Sequence, residues 1–250
     1  MKILNKFRRT VVIAFAATLF LIAAQADVSA TPMSFDIIHP NDAGERTGMT
    51  YGEWSVAWWQ HVFEIPFENN PIFDPTGASR NFGQTGPVFF LVNTASGSAI
   101  RNACRVPAGK ALFFPPLTIS GFTHKNEPEH SLRNYNRSFI NSTREIQVSI
   151  DDVDVGTMVS LEPHSTPLRA ASADGFFSVI APENNIFGGV PGQSYETVSD
   201  GFYLMVAPLP PGPHTIKFGG VSRNFAADVT YNLVVESEEA TQVSRRRKRR

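Results

Sequence analysis

The first regular pattern of hydrophobic and polar positions predicts a helix that is capped at Thr50 and ends before Pro66. Thr50 and Glu53 have the spacing of a capping box, in which each side chain accepts a hydrogen bond from the other residue's backbone amide. Proline disfavours helical backbone at the residue before it, so Pro66 ends the helix. All three tryptophans of the chain lie within this segment: Trp54, Trp58 and Trp59. Because polar residues occupy only one narrow face, the helix is predicted to be buried along most of its surface.

From residue 87 onward the pattern changes to short apolar or alternating runs, which predict β-strands. The predicted strands span 88–93, 100–106, 111–119, 145–150, 153–161, 176–180, 203–207, 214–218 and 228–236. Turn residues at Asp151-Asp152 and at Pro210-Pro211-Gly212-Pro213 each predict a hairpin. The fold class predicted is mainly β, an antiparallel β-sandwich or jelly-roll-like domain with the N-terminal tryptophan-rich helix packed on it.

Three longer polar stretches interrupt this pattern, at 67–86, 121–141 and 183–199. They are predicted to be long loops on a rigid sandwich, where binding residues usually lie. The strand predicted over 100–106 also places the only cysteine, Cys104, on one face with Ile100 and Val106. Cys104 is therefore expected to be a buried, unreactive thiol. A single cysteine excludes an intrachain disulfide and favours a bacterial host.

The first thirty residues have the layout of a secretory signal peptide. Basic residues ending at Arg9 precede an apolar run over 11–24, which is short for a bilayer span, and small residues follow. Cleavage is expected after Ala30 or Ala26, and an uncleaved membrane anchor is the alternative. The sequence predicts a secreted or periplasmic protein with no transmembrane span after cleavage. It leaves open whether export follows the general secretory or the twin-arginine route.

The net charge of −1 conceals a strong segregation of charges along the chain. The leader carries four bases and one acid, and the six residues from Arg245 to Arg250 are all basic. The remaining body, residues 31–244, holds 12 bases and 22 acids, a net charge of −10. The basic end is predicted to contact a polyanion or the cell envelope without specific nucleic-acid recognition, or to fold back on the acidic body. A solvated tail with no dedicated partner is the alternative. The predicted organisation is a signal peptide over 1–30, one β-sandwich domain over 31–240 and a disordered basic tail over 241–250.

The densest polar cluster runs from His124 to His130 and contains two histidines and two glutamates. Its candidate metal ligands are His124, Glu127, Glu129 and His130, since imidazole and carboxylate groups bind zinc and other divalent metals. The spacing matches no closed metal signature, and a solvated acidic loop contains the same residue types. No cofactor is predicted, and a divalent metal at this loop is the alternative.

An acid–base pair is a second candidate for chemistry, formed by His61 with Glu53 or Glu64. A carboxylate one helical turn away would raise the pKa of His61 and pair with it as acid and base. A structural histidine at the edge of the core is the commoner alternative. The sequence contains neither the signatures of serine hydrolases nor a glycine-rich phosphate loop.

Aromatic side chains stack on sugar rings, so the three tryptophans, Trp54, Trp58 and Trp59, are also candidate ligand-binding residues. Core packing is the alternative that the helix pattern favours. Asp200 and His214 complete the set of candidate ligand-binding residues, although His214 opens a predicted strand and also has a structural interpretation.

Several motifs occur together over about residues 51–218. They are Tyr51-Gly52-Glu53-Trp54-Ser55, Trp58-Trp59-Gln60, Gly83-Gln84-Thr85-Gly86-Pro87-Val88-Phe89-Phe90-Leu91, Pro107-Ala108-Gly109-Lys110-Ala111-Leu112-Phe113-Phe114-Pro115, and Asp200-Gly201-Phe202-Tyr203 with Pro208-Leu209-Pro210-Pro211-Gly212-Pro213-His214-Thr215-Ile216. The set resembles an uncharacterised family of exported bacterial proteins that has no established function. The resemblance implies an exported bacterial protein and carries over no catalytic residue.

The function predicted from the sequence is that of a non-catalytic binding or cell-envelope-associated module, with a glycan or a polyanion as ligand. The alternative is a secreted hydrolase or metal-dependent enzyme that uses His61 with Glu64, or the loop from His124 to His130. The sequence leaves the ligand and the oligomeric state open.

Overall fold

The computed structural model describes residues 35–79, 81–122 and 127–239. Within these ranges the chain forms three α-helices, Pro40–Thr47 (α1), Tyr51–Phe63 (α2) and Glu129–Ile140 (α3). The ten strands are Val88–Phe90 (β1), Gly97–Val106 (β2), Ala111–Phe122 (β3), Thr143–Ile150 (β4), Val153–Asp154 (β5), Arg169–Ala171 (β6), Phe177–Ile180 (β7), Ser194–Val206 (β8), Gly212–Ser222 (β9) and Phe225–Val235 (β10). The predicted signal peptide and the predicted tail with Arg245 to Arg250 lie outside the described residues.

The strands form two five-stranded sheets. The first sheet has the order β1-β3-β8-β6, with β7 also paired to β8, and the second has the order β2-β10-β9-β4-β5. Both sheets are mixed, because β1 pairs with β3 and β2 pairs with β10 in parallel, whereas the other pairs are antiparallel. The predicted mainly β, sandwich-like fold is confirmed.

The first sheet is covered on both faces. Phe114 of β3 points toward the second sheet, where its ring centroid lies 4.5 Å from that of Phe218 in β9. The preceding residue, Phe113, points in the opposite direction and lies 5.6 Å from the ring of Tyr51 in α2. Because successive side chains of a strand alternate between faces, this produces three layers: α2, the first sheet and the second sheet.

The tryptophan-rich helix forms as its sequence pattern predicts. The Thr50 side chain accepts from the amide of Glu53, and the Glu53 carboxylate accepts from the amide of Thr50, which completes the capping box. Burial of the apolar surface is confirmed, since Trp54, Trp58 and Trp59 are at most 7% exposed.

The loop predicted over 121–141 is wrong where α3 forms. Leu132, Asn136 and Ile140 recur at the spacing of one helix face, and Asn136 and Ile140 are fully buried. The helical spacing does not appear as an apolar pattern in the sequence because Asn136 is polar. The Asn136 side-chain amide donates to the carbonyl of Val198 at 3.0 Å and thereby anchors the helix on β8. The loop predicted over 183–199 is likewise wrong where β8 begins at Ser194.

Of the two predicted hairpins, the structure contains the one at Asp151-Asp152 and lacks the one at residues 210–213. Asp151 and Asp152 turn the β4–β5 hairpin as predicted, with φ angles of 50° and 64°. The strand predicted over 153–161 is wrong beyond Asp154, because the Asp154 side chain accepts from the Gly156 amide and caps a 3-10 helix. The hairpin predicted at residues 210–213 is also wrong, since β8 and β9 lie in different sheets and residues 207–211 connect them.

The side-chain alternation predicted for 100–106 fails at a β-bulge. The register between β2 and β10 shifts between the pairs Tyr231–Arg101 and Leu233–Cys104, so β2 holds one extra residue there. Because of the extra residue, the side chains of β2 that precede the bulge point to the face opposite to the one predicted from the residues after it. Cys104 and Val106 are buried as expected, whereas Ile100 is 61% exposed and Arg101 is completely buried.

Candidate functional site

An apolar cleft of about 380 Å³ opens beside the second half of β3. One wall is the aromatic face of α2, formed by Trp58, Trp59 and Phe63. The opposite wall contains Phe139 from the end of α3 and Phe225 from the start of β10. Residues 117–120 of β3 form the floor, and none of the described residues that line the cleft is charged. A concave apolar site with few polar groups is the usual form of a ligand pocket.

The α2 wall is rigid because its aromatic rings pack on each other. The rings of Trp59 and Phe63 are stacked with centroids 4.7 Å apart, and Trp58 meets Trp59 edge-on at 4.9 Å. The Trp58 indole also donates to the carbonyl of Leu91 at 3.1 Å. Trp59 and Phe63 share one face of the helix because residues four apart lie one above the other, and Trp58 is the neighbour of Trp59 in sequence.

A buried hydroxyl network fixes Trp59 against the sheet. The indole Nε1 of Trp59 lies 3.2 Å from both the Thr118 hydroxyl and the Tyr203 hydroxyl. Those two hydroxyl groups lie 2.5 Å apart, and Thr118 also donates to the carbonyl of Asp200. Burial raises the pKa of the Tyr203 phenol well above its usual range, so it stays neutral. The network therefore orients Trp59 and does not supply a base.

Gly201 makes room for this network. A Cβ atom at Gly201 would lie 2.6 Å from the Thr118 hydroxyl and 2.9 Å from the Leu117 carbonyl. Real Cβ atoms do not approach other atoms so closely, so only glycine leaves Thr118 in this position.

Among the described strands, the outer side of β3 has a partner only along its first half. Its partner there is β1, through the residues 111–113, and Leu91 donates to the Phe113 carbonyl at 3.1 Å. At Pro115 and Pro116 the strand bulges, and the side-chain amide of Asn93 donates to both of their carbonyls. Within the described ranges no strand pairs with the outer side of residues 117–120.

The hydrogen bonds of β8 show which groups of β3 face this free side. Tyr203 donates its amide to Leu168, and the carbonyl of Ser199 accepts from Ser172, so these odd-numbered residues face away from β3. Backbone groups alternate along a strand, so the even-numbered residues of β8 face β3 and bond to Leu117 and Ile119.

The alternate residues of β3, Thr118 and Ser120, therefore direct their amide and carbonyl groups away from β8 and into the cleft. No loop hydrogen bond to these backbone groups occurs among the described residues.

The candidate acid–base residues do not lie in this cleft. Glu53 is bound to the Thr50 amide and hydroxyl as a helix cap, and Glu64 is exposed at the end of α2. His61 lies near Phe90, with ring centroids 5.3 Å apart, and its Nε2 is buried without a partner in the described part of the chain. Burial lowers the pKa of His61 to about 4, which is opposite to the rise expected from a neighbouring carboxylate.

The candidate ligand-binding residues separate into two groups. Trp58 and Trp59 line the cleft, whereas Trp54 packs on Phe90 and donates its indole to the Thr47 hydroxyl at 2.8 Å. Asp200 is 6% exposed and is ion-paired to Arg169 at 2.7 Å.

His214 is also buried and held by protein partners. Its two ring nitrogens lie 2.7 Å from the Asp151 carboxylate and 2.8 Å from the Pro210 carbonyl. These contacts join β9 to the turn at residue 151 and to the segment that connects the two sheets.

The candidate metal ligands are divided by the start of α3. His124 lies outside the described residues, and Glu127 precedes the helix. Glu129 accepts from the Arg133 side chain and from the Gly175 amide, which lowers its pKa and engages its carboxylate. His130 is exposed on the first turn of α3. In the part of the chain that is described, no group of three or more His, Cys, Asp or Glu residues is arranged to hold a metal ion.

Sequence reasoning missed Asn93, Thr118, Phe139, Phe225 and the buried Arg101. The Arg101 guanidinium donates to the carbonyls of Pro71 and Asn93 and to the Tyr231 hydroxyl, and it lies 5.2 Å from the Tyr231 ring centroid. It thus fixes the two segments that lead to the cleft at Ile72 and Asn93. The paired prolines at 115 and 116 within a strand were the sequence signal that β3 has a free edge, because proline occurs in strands only at edges and bulges.

Comparison with known proteins gives little further information. No protein-family model and no curated protein matches the chain. The solved structures that it resembles include the cysteine protease inhibitor EhICP2 from Entamoeba histolytica, with 12% identity, a TM-score of 0.24, and coverage of 59% of this chain and 94% of the inhibitor. PbICP-C, solved in complex with falcipain-2, has 11% identity, a TM-score of 0.23, and coverage of 60% of this chain and 100% of its own. Similarity at this level supports no inference about function.

None of the helices within residues 35–79, 81–122 and 127–239 is long and apolar enough to cross a membrane.

Proposed function

We propose that this chain is an exported, non-catalytic binding module whose ligand occupies the aromatic cleft beside β3. The observation that carries the proposal is the cleft itself, a space of about 380 Å³ with two aromatic walls and no charged side chain among the described residues of its lining. Apolar surface exposed in a concave site favours a ligand that covers it.

The chemistry of the lining favours an apolar ligand over a glycan. A sugar needs several polar side chains directed toward its hydroxyl groups, but three of the four Asn, Ser and Thr side chains among the described lining residues already have partners, and only the Ser120 side chain has no hydrogen bond within the described chain. Asn93 donates to the carbonyls of residues 115 and 116, Thr94 donates to Ser96, and Thr118 is held by Tyr203. The tryptophans present packed rings with engaged indole nitrogens, and no flat exposed platform is formed by Trp54, Trp58 and Trp59.

The non-catalytic part of the proposal is supported by the positions of the candidate acid–base residues. Glu53 serves as a helix cap, Glu64 is exposed, and the Nε2 of His61 is buried away from both the solvent and the cleft lining. The enzyme alternative, with His61 and Glu64 or with the loop from His124 to His130, stays a prediction of the sequence.

Export and the role of the basic tail are further parts of the proposal that are supported by sequence alone. The pattern of residues 1–30 and the resemblance to exported bacterial proteins support a secreted or periplasmic location. The six bases from Arg245 to Arg250 support contact with a polyanion. Retention on heparin that falls steeply with salt and is lost on deletion of residues 245–250 would support the contact, and unchanged retention would refute it.

The cleft is tested with the neutral aromatic probe N-phenyl-1-naphthylamine, whose fluorescence is measured during titration. Phe225→Ala removes most of one ring from the cleft wall, and Phe82→Ala is a matched control at a residue that is 45% exposed and outside the lining. Loss of about 1.4 kcal/mol of apolar contact corresponds to about tenfold weaker binding. We expect this loss for Phe225→Ala and no change for Phe82→Ala. Equal binding by the two variants would overturn the assignment of the cleft.

A further inference from the structure

We infer that the ligand of the cleft is an extended apolar segment of another protein, which binds as an additional strand on the free edge of β3. This inference rests on the proposed function for the place of binding, and it adds the chemical class and the binding mode of the partner.

The first reason is that two residues of β3 have backbone groups without a hydrogen-bond partner among the described residues. Thr118 and Ser120 direct their amide and carbonyl groups into the cleft, as the pairing of β8 requires. A compact apolar molecule would cover these groups without satisfying them, and a buried polar group without a hydrogen-bond partner weakens binding. An extended peptide supplies alternating donors and acceptors at the matching spacing, which is how strand addition achieves affinity.

The two aromatic walls are the second reason. Side chains of an added strand alternate between the two faces of the sheet. On one face they would meet Trp59 and Phe63, and on the other face they would meet Phe139 and Phe225, whose rings lie 6.0 Å apart. Both faces of the edge are therefore apolar, so the partner requires consecutive apolar residues and not the alternating pattern of a half-exposed strand.

The charge distribution sets the ends of the partner segment. Among the described residues the lining contains no charged side chain, which favours an uncharged paired stretch. The body of the chain carries a net charge of −10, and basic residues flanking the apolar stretch are therefore favoured over acidic ones. The floor of four residues, 117–120, spans about 13 Å of extended chain, which sets the length of the paired stretch at about four or five residues.

The probe is an acetylated and amidated peptide with the core Val-Leu-Val-Leu-Val and two lysines at each end. It is compared with two forms that carry N-methyl groups, one on core residues 1, 3 and 5 and one on core residues 2 and 4. An added strand uses only one of its edges for hydrogen bonds, so we expect one methylated form to bind at least tenfold more weakly and the other to bind within threefold of the parent. Equal loss, or equal retention, by the two forms would overturn strand addition.

A substitution in β3 tests the same hydrogen bonds by changing the protein and not the peptide. Ser120→Pro removes the outward amide without removing a bond to β8, and Ser120→Ala is the matched control that keeps the amide. We expect the peptide to bind at least tenfold more weakly to Ser120→Pro and unchanged to Ser120→Ala, with both variants folded by circular dichroism. If Ser120→Pro does not fold, the two methylated peptides decide. Wild-type binding of the peptide by Ser120→Pro overturns the inference.

The naphthylamine titration separates this inference from the proposed function. Binding of the naphthylamine that depends on Phe225, together with failure of the peptide tests, would overturn strand addition and leave the cleft as a site for small apolar ligands. Failure of the naphthylamine test would overturn the proposed function itself. Sedimentation velocity tests whether a second copy of the chain occupies the edge instead. A wild-type dimer that dissociates in Ser120→Pro would show that it does, and would overturn the inference.

Discussion

Folding stability is predicted to depend on pH through His61. The Nε2 of His61 is buried without a hydrogen-bond partner among the described residues, and burial lowers the pKa of the ring from 6.5 to about 4. Protonation of His61 is therefore less favourable in the folded chain than in the unfolded chain. The stabilising contribution of the neutral ring is fully present above about pH 6.5 and is lost as the pH falls toward 4.

The magnitude follows from the two pKa values. A difference between 6.5 and about 4 corresponds to about 3 kcal/mol, at about 1.4 kcal/mol for each pH unit between the values. The perturbation is His61→Leu, which removes the titrating group and also the buried nitrogen that lacks a partner. The Leu side chain remains apolar beside Phe90, so the variant is expected to fold.

The assay is urea unfolding of the wild type and of His61→Leu at several pH values between 7.5 and 4. Glu53 and Asp74 also have lowered pKa values, but they titrate in both proteins and cancel in the difference. Relative to His61→Leu, the wild type is predicted to lose about 3 kcal/mol over this range. His61→Gln, which is polar but does not titrate, should behave like His61→Leu. A difference that stays constant with pH, or that favours the wild type in acid, would refute the burial argument.

Two further predictions concern the residues that shape the cleft. Arg101→Met should lower the free energy of unfolding by about 3 kcal/mol or more, because it leaves several buried carbonyls unpaired. The control Arg105→Met, at an exposed side chain, should lower it by less than about 1 kcal/mol. Equal effects of the two substitutions in urea unfolding would contradict the anchoring role of Arg101. Gly201→Ala should destabilise by about 1–3 kcal/mol through its contact with Thr118. Gly44→Ala, with no atom within 4 Å, should be neutral or stabilising in thermal unfolding, and an equally mild Gly201→Ala would contradict the packing argument.

The parts of the fold that the sequence predicts are those set by local chemistry. The α2 helix follows from the capping box of Thr50 and Glu53, and the turn at residue 151 follows from two aspartates that tolerate positive φ. The mainly β class follows from short apolar runs and turn residues. None of these features depends on contacts that are distant in the sequence.

The features that were missed depend on distant contacts. The α3 helix buries Asn136, which the carbonyl of Val198 makes acceptable in the core, so its period does not appear in an apolar pattern. The bulge that turns Arg101 inward is defined by the pairing with β10. The crossing of residues 207–211 between sheets depends on which strands pair, and the turn residues there fit a hairpin equally well.

The candidate site was predicted only in part for the same reason. Trp58 and Trp59 were identified from their aromatic chemistry, and both line the cleft. The opposite wall comes from Phe139 and Phe225, which lie 86 positions apart and meet only in the folded chain. In the part of the chain that is described, the outer edge of β3 is free beyond Phe113 because β1 stops at Phe90.

The measurement that tests the central claim most directly is residue-resolved amide hydrogen exchange on β3, with and without the Val-Leu-Val-Leu-Val peptide. In the free protein, the amides of Thr118 and Ser120 are predicted to exchange faster than those of Leu117 and Ile119, which bond to β8. Addition of the peptide should slow exchange at Thr118 and Ser120 at least tenfold and leave β4 and β9 unchanged. Full protection of Thr118 and Ser120 in the free protein, or peptide-induced protection only outside the cleft, would contradict the account.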